Sequence, residues 1–227
     1  MIKNFKQLLY NPVCLSCGSY FVLKHLFCEV CYQFKISPRV SLGKKFCEPN
    51  LSSFHLIDWI AEESDLVSEM VYRFKSDKSV NAWQHYGKIL LSELTREMDV
   101  HEIDCIVPIP GSTRQSIHSQ IFATVAKEIL QKPILNILKK SSDQSASTEQ
   151  KKRSKAERLR NSIEVCELIT QDLSELGLQS KHVLVVDDIL TSGSSFRQSI
   201  EAMGPVKKAT LVTLFHRRAK VDAGLVS

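Results

Sequence analysis

Four consecutive apolar residues, Val183-Leu184-Val185-Val186, run directly into two carboxylates, Asp187 and Asp188, and this stretch constrains the fold most. An apolar run that ends so abruptly reads as a strand buried on both faces, as in a parallel sheet covered by helices. In open α/β sheets, ligands bind at the carboxyl ends of the strands, which is where the acidic pair falls. The residues Thr191-Ser192-Gly193-Ser194-Ser195 that follow are small and hydroxylated around one glycine, and Phe196, Ile200 and Met203 then recur at helical spacing. Such a loop presents backbone N–H groups and hydroxyls to a phosphate, and the helix N-terminus adds positive potential. Ionised Asp187 and Asp188 only accept hydrogen bonds, so their targets are hydroxyls or a divalent cation. A strand-loop-helix unit of this kind is suited to hold a sugar through its diol and its phosphate.

The rest of the chain fits one α/β domain with a small appendage: 227 residues, 43% of them hydrophobic, suffice for a real core. No apolar run approaches a membrane span, and Met1-Ile2-Lys3-Asn4-Phe5-Lys6 leads into no secretory segment, so the expected location is the cytoplasm. Seven cysteines, an odd number, argue against a disulfide framework. Four of them form two C-x2-C knuckles ten residues apart, Cys14-Leu15-Ser16-Cys17 and Cys28-Glu29-Val30-Cys31. This doubled spacing is that of a tetrahedral thiolate site, and four thiolates leave no open position for catalysis, so a structural Zn²⁺ is expected. Cys47, Cys105 and Cys166 have no such partners.

Residues 35–51, with Pro38, Gly43 and Pro49 and no clear periodicity, read as a linker. The expected domains are therefore 1–50, the zinc-binding element and linker, and 51–227. A strand is expected over Ser53–Ile60, a helix marked by Leu66, Val67, Met70, Val71 and Phe74, and a second from Val80 to about Met98. The core βα unit is the strand Ile103–Val107, the loop Pro108-Ile109-Pro110-Gly111, and a helix with Ile117, Ile121, Val125 and Ile129, ending before Pro133. A short strand at Ile163–Val165 and a closing strand at Ala209–Phe215 complete an alternating order that implies a parallel sheet.

The stretch from Val183 to Ser195 resembles the loop for phosphoribosyl pyrophosphate (PRPP) of type I phosphoribosyltransferases: a hydrophobic run, two acidic residues, a spacer, then Thr-Thr-Gly-Ala/Ser-Thr/Ser. Ser192 stands in place of the middle Thr. The four-cysteine element preceding such a domain is similar to the arrangement in the ComF family, the ComFC/GntX-like homologues associated with DNA uptake in competent bacteria. Val71-Tyr72-Arg73-Phe74-Lys75 and Val107-Pro108-Ile109-Pro110 resemble further segments of that family, and Gln150, Lys155, Arg158 and Asn161 fall at the spacing of its Gln-to-Asn signature. Where the family has Arg-Gly-Phe-Asn-Gln, this chain has Ser116-Ile117-His118-Ser119-Gln120, retaining only the Gln.

The resemblance implies a type I phosphoribosyltransferase-like parallel sheet flanked by helices, with PRPP held by Asp187, Asp188, Thr191, Ser192, Gly193, Ser194 and Ser195. It places a pyrophosphate loop over Pro108 to Arg114, with Arg114 meeting the diphosphate. Mg²⁺ would bridge the diphosphate and the ribose hydroxyls, which Asp187 and Asp188 would hold. The acceptor so implied is a nucleobase, with Phe215 and His216 as candidates for stacking; no residue stands out as a general base.

Between Lys139 and Arg160 the apolar pattern disappears, and eight Lys/Arg against three Asp/Glu give a net charge of +5, equal to that of the whole chain. This segment, with Lys151, Lys152, Arg153, Lys155 and Arg158, reads as a catalytic lid, a nucleic-acid contact or a solvated loop. The competing function is accordingly a non-catalytic accessory that binds single-stranded DNA and contacts a ComFA-like helicase.

Overall fold

The computed structural model describes residues 13–20, 22, 26–60, 66–74, 80–111, 117–140, 163–165 and 175–218. Its strands are β1 (Val40–Glu48), β2 (Leu51–Ile60), β3 (Ile103–Pro108), β4 (Leu138–Lys140), β5 (Ile163–Val165), β6 (His182–Leu190) and β7 (Lys208–Arg218). The longer helices are α1 (Leu66–Phe74), α2 (Val80–Glu97), α3 (His118–Leu130) and α4 (Ser194–Met203).

The apolar run of β6 sets the layering. Val183, Leu184, Val185 and Val186 are all fully buried. Because successive side chains of a strand point to opposite faces, they divide between two cores. Val183 and Val185 join Cys105, Val107, Leu211, Phe196 and Met203 under α4. Leu184 and Val186 join Ile106, Val212 and Leu214 beneath α1, α2 and α3. Helices on both faces explain why this strand is apolar without alternation.

The main sheet has the order β1-β2-β7-β6-β3. The neighbours β2/β7, β7/β6 and β6/β3 are parallel, so the carboxyl ends of these four strands lie at one edge. The sheet is not wholly parallel, because β1 pairs antiparallel with β2. Residues 35–51 are thus no linker: short helical turns run to Arg39, and β1 follows as an edge strand. Its half-exposed pattern, with register shifts between Val40 and Gly43 and between Lys44 and Cys47, is that of a bulged edge, which gives no clean two-residue period. Gly43 is where β1 passes over His55; a Cβ there would lie 2.3 Å from the His55 Nε2.

The other expected elements form close to their expected bounds. α3 ends in Gln131, in the left-handed region at φ 55°, before Pro133. The chain then returns to β3, where Ile106 donates to the Pro133 carbonyl at 2.9 Å and Leu135 to the Ile106 carbonyl at 2.8 Å. β4 and β5 pair antiparallel as a separate ribbon, so Leu138, Lys139 and Lys140 are strand where an unpatterned segment was expected to begin. On the α2 side, Phe74 makes edge-on ring contacts with Trp83 at 5.1 Å, Tyr86 at 5.6 Å and Phe215 at 5.3 Å. Phe215, considered above for acceptor stacking, is therefore core, at 1% exposure.

The cysteine element shares this core. Cys14, Phe27, Cys31 and Ile36 belong to the same buried cluster as Phe54, Trp83 and Tyr86. Tyr32 packs edge-on against His85 with ring centroids 5.5 Å apart.

Candidate functional site

The sulfur atoms of Cys14, Cys17, Cys28 and Cys31 lie within 4.8 Å of one another. Cys17 and Cys28 sulfurs are 3.7 Å apart. Thiolates about 2.3 Å from a tetrahedral Zn²⁺ stand roughly 3.8 Å from each other, so the four cysteines fit such an ion. The knuckles are shaped by backbone bonds: Cys14 donates to the Ser19 carbonyl at 2.8 Å, Gly18 to the Cys14 carbonyl at 2.9 Å, and Leu15 to the Leu26 carbonyl at 3.1 Å. Burial opposes ionisation of Cys14, but the N–H groups of Cys28, Cys17 and Ser16 outweigh it and bring the thiol down to about 6. Cys17 receives a lowering contact from the Ser19 backbone, yet the crowd of Cys14, Cys31 and Cys28 thiols drives it up to about 12. Four sulfurs this close cannot all ionise without a cation among them.

The second cluster lies at the carboxyl end of β6, as the position of Asp187 and Asp188 implies. Asp187 sits opposite Thr213 of β7, and Ile109, at the start of the loop after β3, donates to the Val186 carbonyl at 3.0 Å. The two loops that the sequence singled out thus leave neighbouring strands side by side. Enclosure of the Asp187 carboxyl, and then the adjacent Asp188 charge, raise its pKa well above the ordinary carboxylate range. The Asp188 N–H, which donates to Asp187 Oδ1 at 2.9 Å, and the charge of Lys140 on β4 act in the opposite direction. Two carboxylates held side by side, one of them with a raised pKa, are groups suited to a cation or to the hydroxyls of a sugar.

Thr191, Ser192 and Gly193 form the turn between β6 and α4, and Ser194 and Ser195 begin the helix. Ser192 Oγ accepts from the Ser194 N–H at 3.3 Å, and its hydroxyl lies 3.2 Å from that of Ser194. The turn is pinned from one face by Phe46 of β1. Gly193 has φ 81°, and a Cβ there would lie 2.4 Å from the Phe46 Cζ. Two requirements, a left-handed backbone and no side chain, therefore meet at one residue. Gly193→Ala is expected to cost about 1–3 kcal/mol from backbone conformation and the clash together, read as a lower urea midpoint. Adding Phe46→Ala should recover only the clash part. A midpoint equal to wild type would show that Phe46 does not cover the turn.

Sequence reasoning missed the β1 side of this site. Lys45 donates to the Thr191 carbonyl at 2.6 Å and lies 3.1 Å from His216 Nε2. Arg197 of α4 stacks 5.3 Å over the Phe46 ring and pairs with Glu48 at 2.7 Å. The only local signal was the polar content of β1. His216, considered for acceptor stacking, is buried and bound at Nδ1 to Asp58 Oδ1 at 2.8 Å. Gln120 bonds Asn136 at 2.9 Å, while Ser119 bonds the Ile109 carbonyl and so ties α3 to the loop after β3. Arg114, the basic residues Lys151, Lys152, Arg153, Lys155 and Arg158, and the signature residues Gln150 and Asn161 lie outside the described residues. No described helix is long and apolar enough to cross a membrane.

Comparison with known proteins falls on the same region. The family model described as phosphoribosyl transferase domain matches residues 88–223, more than half of the chain and all of β3 to β7. Among solved structures, the chain is similar to adenine phosphoribosyltransferase from Leishmania donovani, with 10% identity and a TM-score of 0.36 over 77% of this chain and 86% of that one. It is also similar to the adenine phosphoribosyltransferase of Leishmania tarentolae, with 13% identity and a TM-score of 0.35 over 77% and 94% of the two chains. No curated protein matches. The match over residues 88–223 shows that this chain belongs to the phosphoribosyl transferase domain family, and its mainly parallel sheet flanked by helices is a type I phosphoribosyltransferase fold with a four-cysteine cluster near the N-terminus.

Proposed function

We propose that this chain binds PRPP with Mg²⁺ at the carboxyl end of β6 and transfers the phosphoribosyl group to an acceptor, in a role tied to DNA uptake. The observation that carries the reading is the pairing of Asp187 and Asp188 with the hydroxyl-rich turn Thr191–Ser195, at the sheet edge where the loop after β3 also begins. The acidic pair accepts from the two ribose hydroxyls. The amides and hydroxyls of Thr191, Ser192, Gly193, Ser194 and Ser195 hold the 5-phosphate at the start of α4. Arg114 meets the diphosphate, and the segment with Lys151, Lys152, Arg153, Lys155 and Arg158 covers the site against water. Mg²⁺ bound with PRPP supplies neutralisation of the diphosphate charge. Zn²⁺ at Cys14, Cys17, Cys28 and Cys31 is structural. The family resemblance supports the competence role, a cytoplasmic location and a ComFA-like helicase as partner.

The concentration of net charge between Lys139 and Arg160 favours one second reading, a non-catalytic accessory that binds single-stranded DNA through this segment. Calorimetric titration of PRPP with Mg²⁺ into the zinc-loaded protein, and into an Asp187→Asn/Asp188→Asn double variant, separates the two. Binding is expected in the wild type and should weaken at least about 100-fold in the variant, the loss of two charge-assisted contacts. Pyrophosphate release with mixed nucleobases then reports transfer. Absence of PRPP binding by folded wild type would overturn the reading and leave single-stranded DNA as the ligand.

A further inference from the structure

β1 lies outside the residues that match the family model, yet it reaches the phosphate turn through Phe46 and through a polar side chain, Lys45. Lys45 Nζ is 2.6 Å from the Thr191 carbonyl and 3.1 Å from His216 Nε2. A lysine ammonium has donors and no acceptor, so His216 Nε2 must accept, and the His216 proton resides on Nδ1. That proton is donated to Asp58 Oδ1 at 2.8 Å. The same oxygen receives His55 Nε2 at 3.1 Å, and Arg218 bonds the other carboxylate oxygen, Oδ2. Burial opposes charge on Asp58, but contacts from His216, His55 and Arg218 hold its carboxyl well below the ordinary range, so it is a fixed anion at neutral pH.

The geometry of this chain of contacts is directional. Asp58 fixes the His216 tautomer, His216 turns a lone pair toward Lys45, and Lys45 grips the carbonyl that opens the Thr191–Ser195 turn. His55 cannot move aside, since its ring is buried at 3% exposure against Gly43, with a ring centroid 4.5 Å from that of His216. The three ligand-type atoms of His55, Asp58 and His216 are close enough for a metal ion. With Lys45 on His216 and Arg218 on Asp58, however, two cations already occupy the approaches.

We propose that Lys45 is a positioning residue for the phosphate turn, oriented by the His55–Asp58–His216 relay, so that the N-terminal hairpin controls how well the turn is formed for its phosphate ligand. The proposal rests on the reading of Thr191–Ser195 as a phosphosugar site. Lys45 acts on the ligand through Thr191: by tying back the carbonyl it fixes the orientation of the peptide that opens the turn. A second proton on His216 would remove the acceptor for Lys45. Among the described residues, the charged or titratable groups facing His216 are Lys45 from β1, His55 and Asp58 from β2, and, through Asp58, Arg218 from β7.

A double-mutant cycle tests this with Lys45→Met and His216→Phe, the latter keeping a ring in the buried site. Two readouts are used: hydrogen exchange of the amides of residues 191–195 without ligand, and the Kd of PRPP with Mg²⁺. Each single variant is expected to raise turn exchange, leave the amides of residues 183–186 protected, and weaken binding about tenfold. The double variant should be no worse than either single, because both break one chain of contacts. Lys45→Arg should recover most of the binding, since it keeps a cationic donor. Unchanged turn exchange in Lys45→Met, or fully additive effects in the cycle, would overturn the proposal. If wild type fails to bind PRPP, the phosphosugar reading falls, and the exchange cycle alone still decides whether Lys45 positions the turn. Should His216→Phe not fold, Lys45→Met, whose side chain lies at the surface, and Lys45→Arg decide it by the same exchange measurement.

Discussion

Cys31→Ser should lose the Zn²⁺ proposed for the four-cysteine cluster and melt roughly 10 °C or more below wild type. The expectation follows from where the centre sits. Cys14 and Cys31 are 2% and 7% exposed, and together with Phe27 and Ile36 they are part of the core that includes Trp83, Tyr86 and Phe74. A separate zinc ribbon could unfold without consequence for the sheet; here, releasing the knuckles strips cover from α2 and from the aromatic group around Phe74. Structural zinc contributes about 10–16 kcal/mol of apparent binding energy to isolated finger peptides. Even a third of that, in a chain of this size, corresponds to a shift of roughly 10 °C or more. The check is metal analysis of both proteins alongside thermal melts, with a chelator added to wild type as an independent route to the same state. A chelated wild type or Cys31→Ser protein that melts with the untreated wild type would show that the cysteines hold no structural ion.

Such coupling was not visible in the sequence, where the element and the domain looked like separate pieces joined by a linker. The doubled C-x2-C spacing was legible because metal ligation is local: each knuckle is four residues, and the chemistry of thiolates restricts what they bind. The strand of Val183–Val186 was legible for a similar reason, since burial on both faces leaves an unbroken apolar run. β1 was not, because an edge strand with Lys44, Lys45 and Glu48 facing solvent and two register shifts has neither an apolar run nor a regular alternation. β4 was too short to carry any pattern.

The candidate site divides along the same line. Asp187, Asp188 and the turn after them are contiguous, so the sequence displays them together. The relay that reaches the turn joins Asp58 to His216 across 158 positions and Lys45 to Thr191 across 146. Each of these residues has an ordinary surface or core explanation when read alone. Only the adjacency of β2 and β7, with β1 folded against them, brings the atoms into hydrogen-bonding distance.

Asp187→Asn should bind ribose 5-phosphate about 10-fold to 100-fold more weakly and yet be more stable than wild type at neutral pH. The first part follows from replacing a charged acceptor of a sugar hydroxyl by a neutral amide, a loss of about 1.5–3 kcal/mol. The second follows from the sign of the Asp187 shift. Enclosure and the neighbouring Asp188 raise its folded pKa above the unfolded value near 3.8, so the folded state holds the proton more tightly than the unfolded chain. Below that unfolded value both states are protonated, and the group contributes no penalty. As pH rises toward the folded pKa, the unfolded chain ionises freely while the folded one resists, and stability is lost. Above the folded pKa the penalty is complete. Asparagine never ionises, so the gain in melting temperature of the variant over wild type should shrink toward zero near pH 4 and grow as the pH rises above it. The comparison requires melts at several pH values in ligand-free protein, because a bound cation or sugar would itself offset the charge of the carboxylates. A variant less stable than wild type at pH 7 would mean that a cationic group already compensates Asp187. The pair would then be a structural ion cluster, and the strain that marks it as a binding site would be absent.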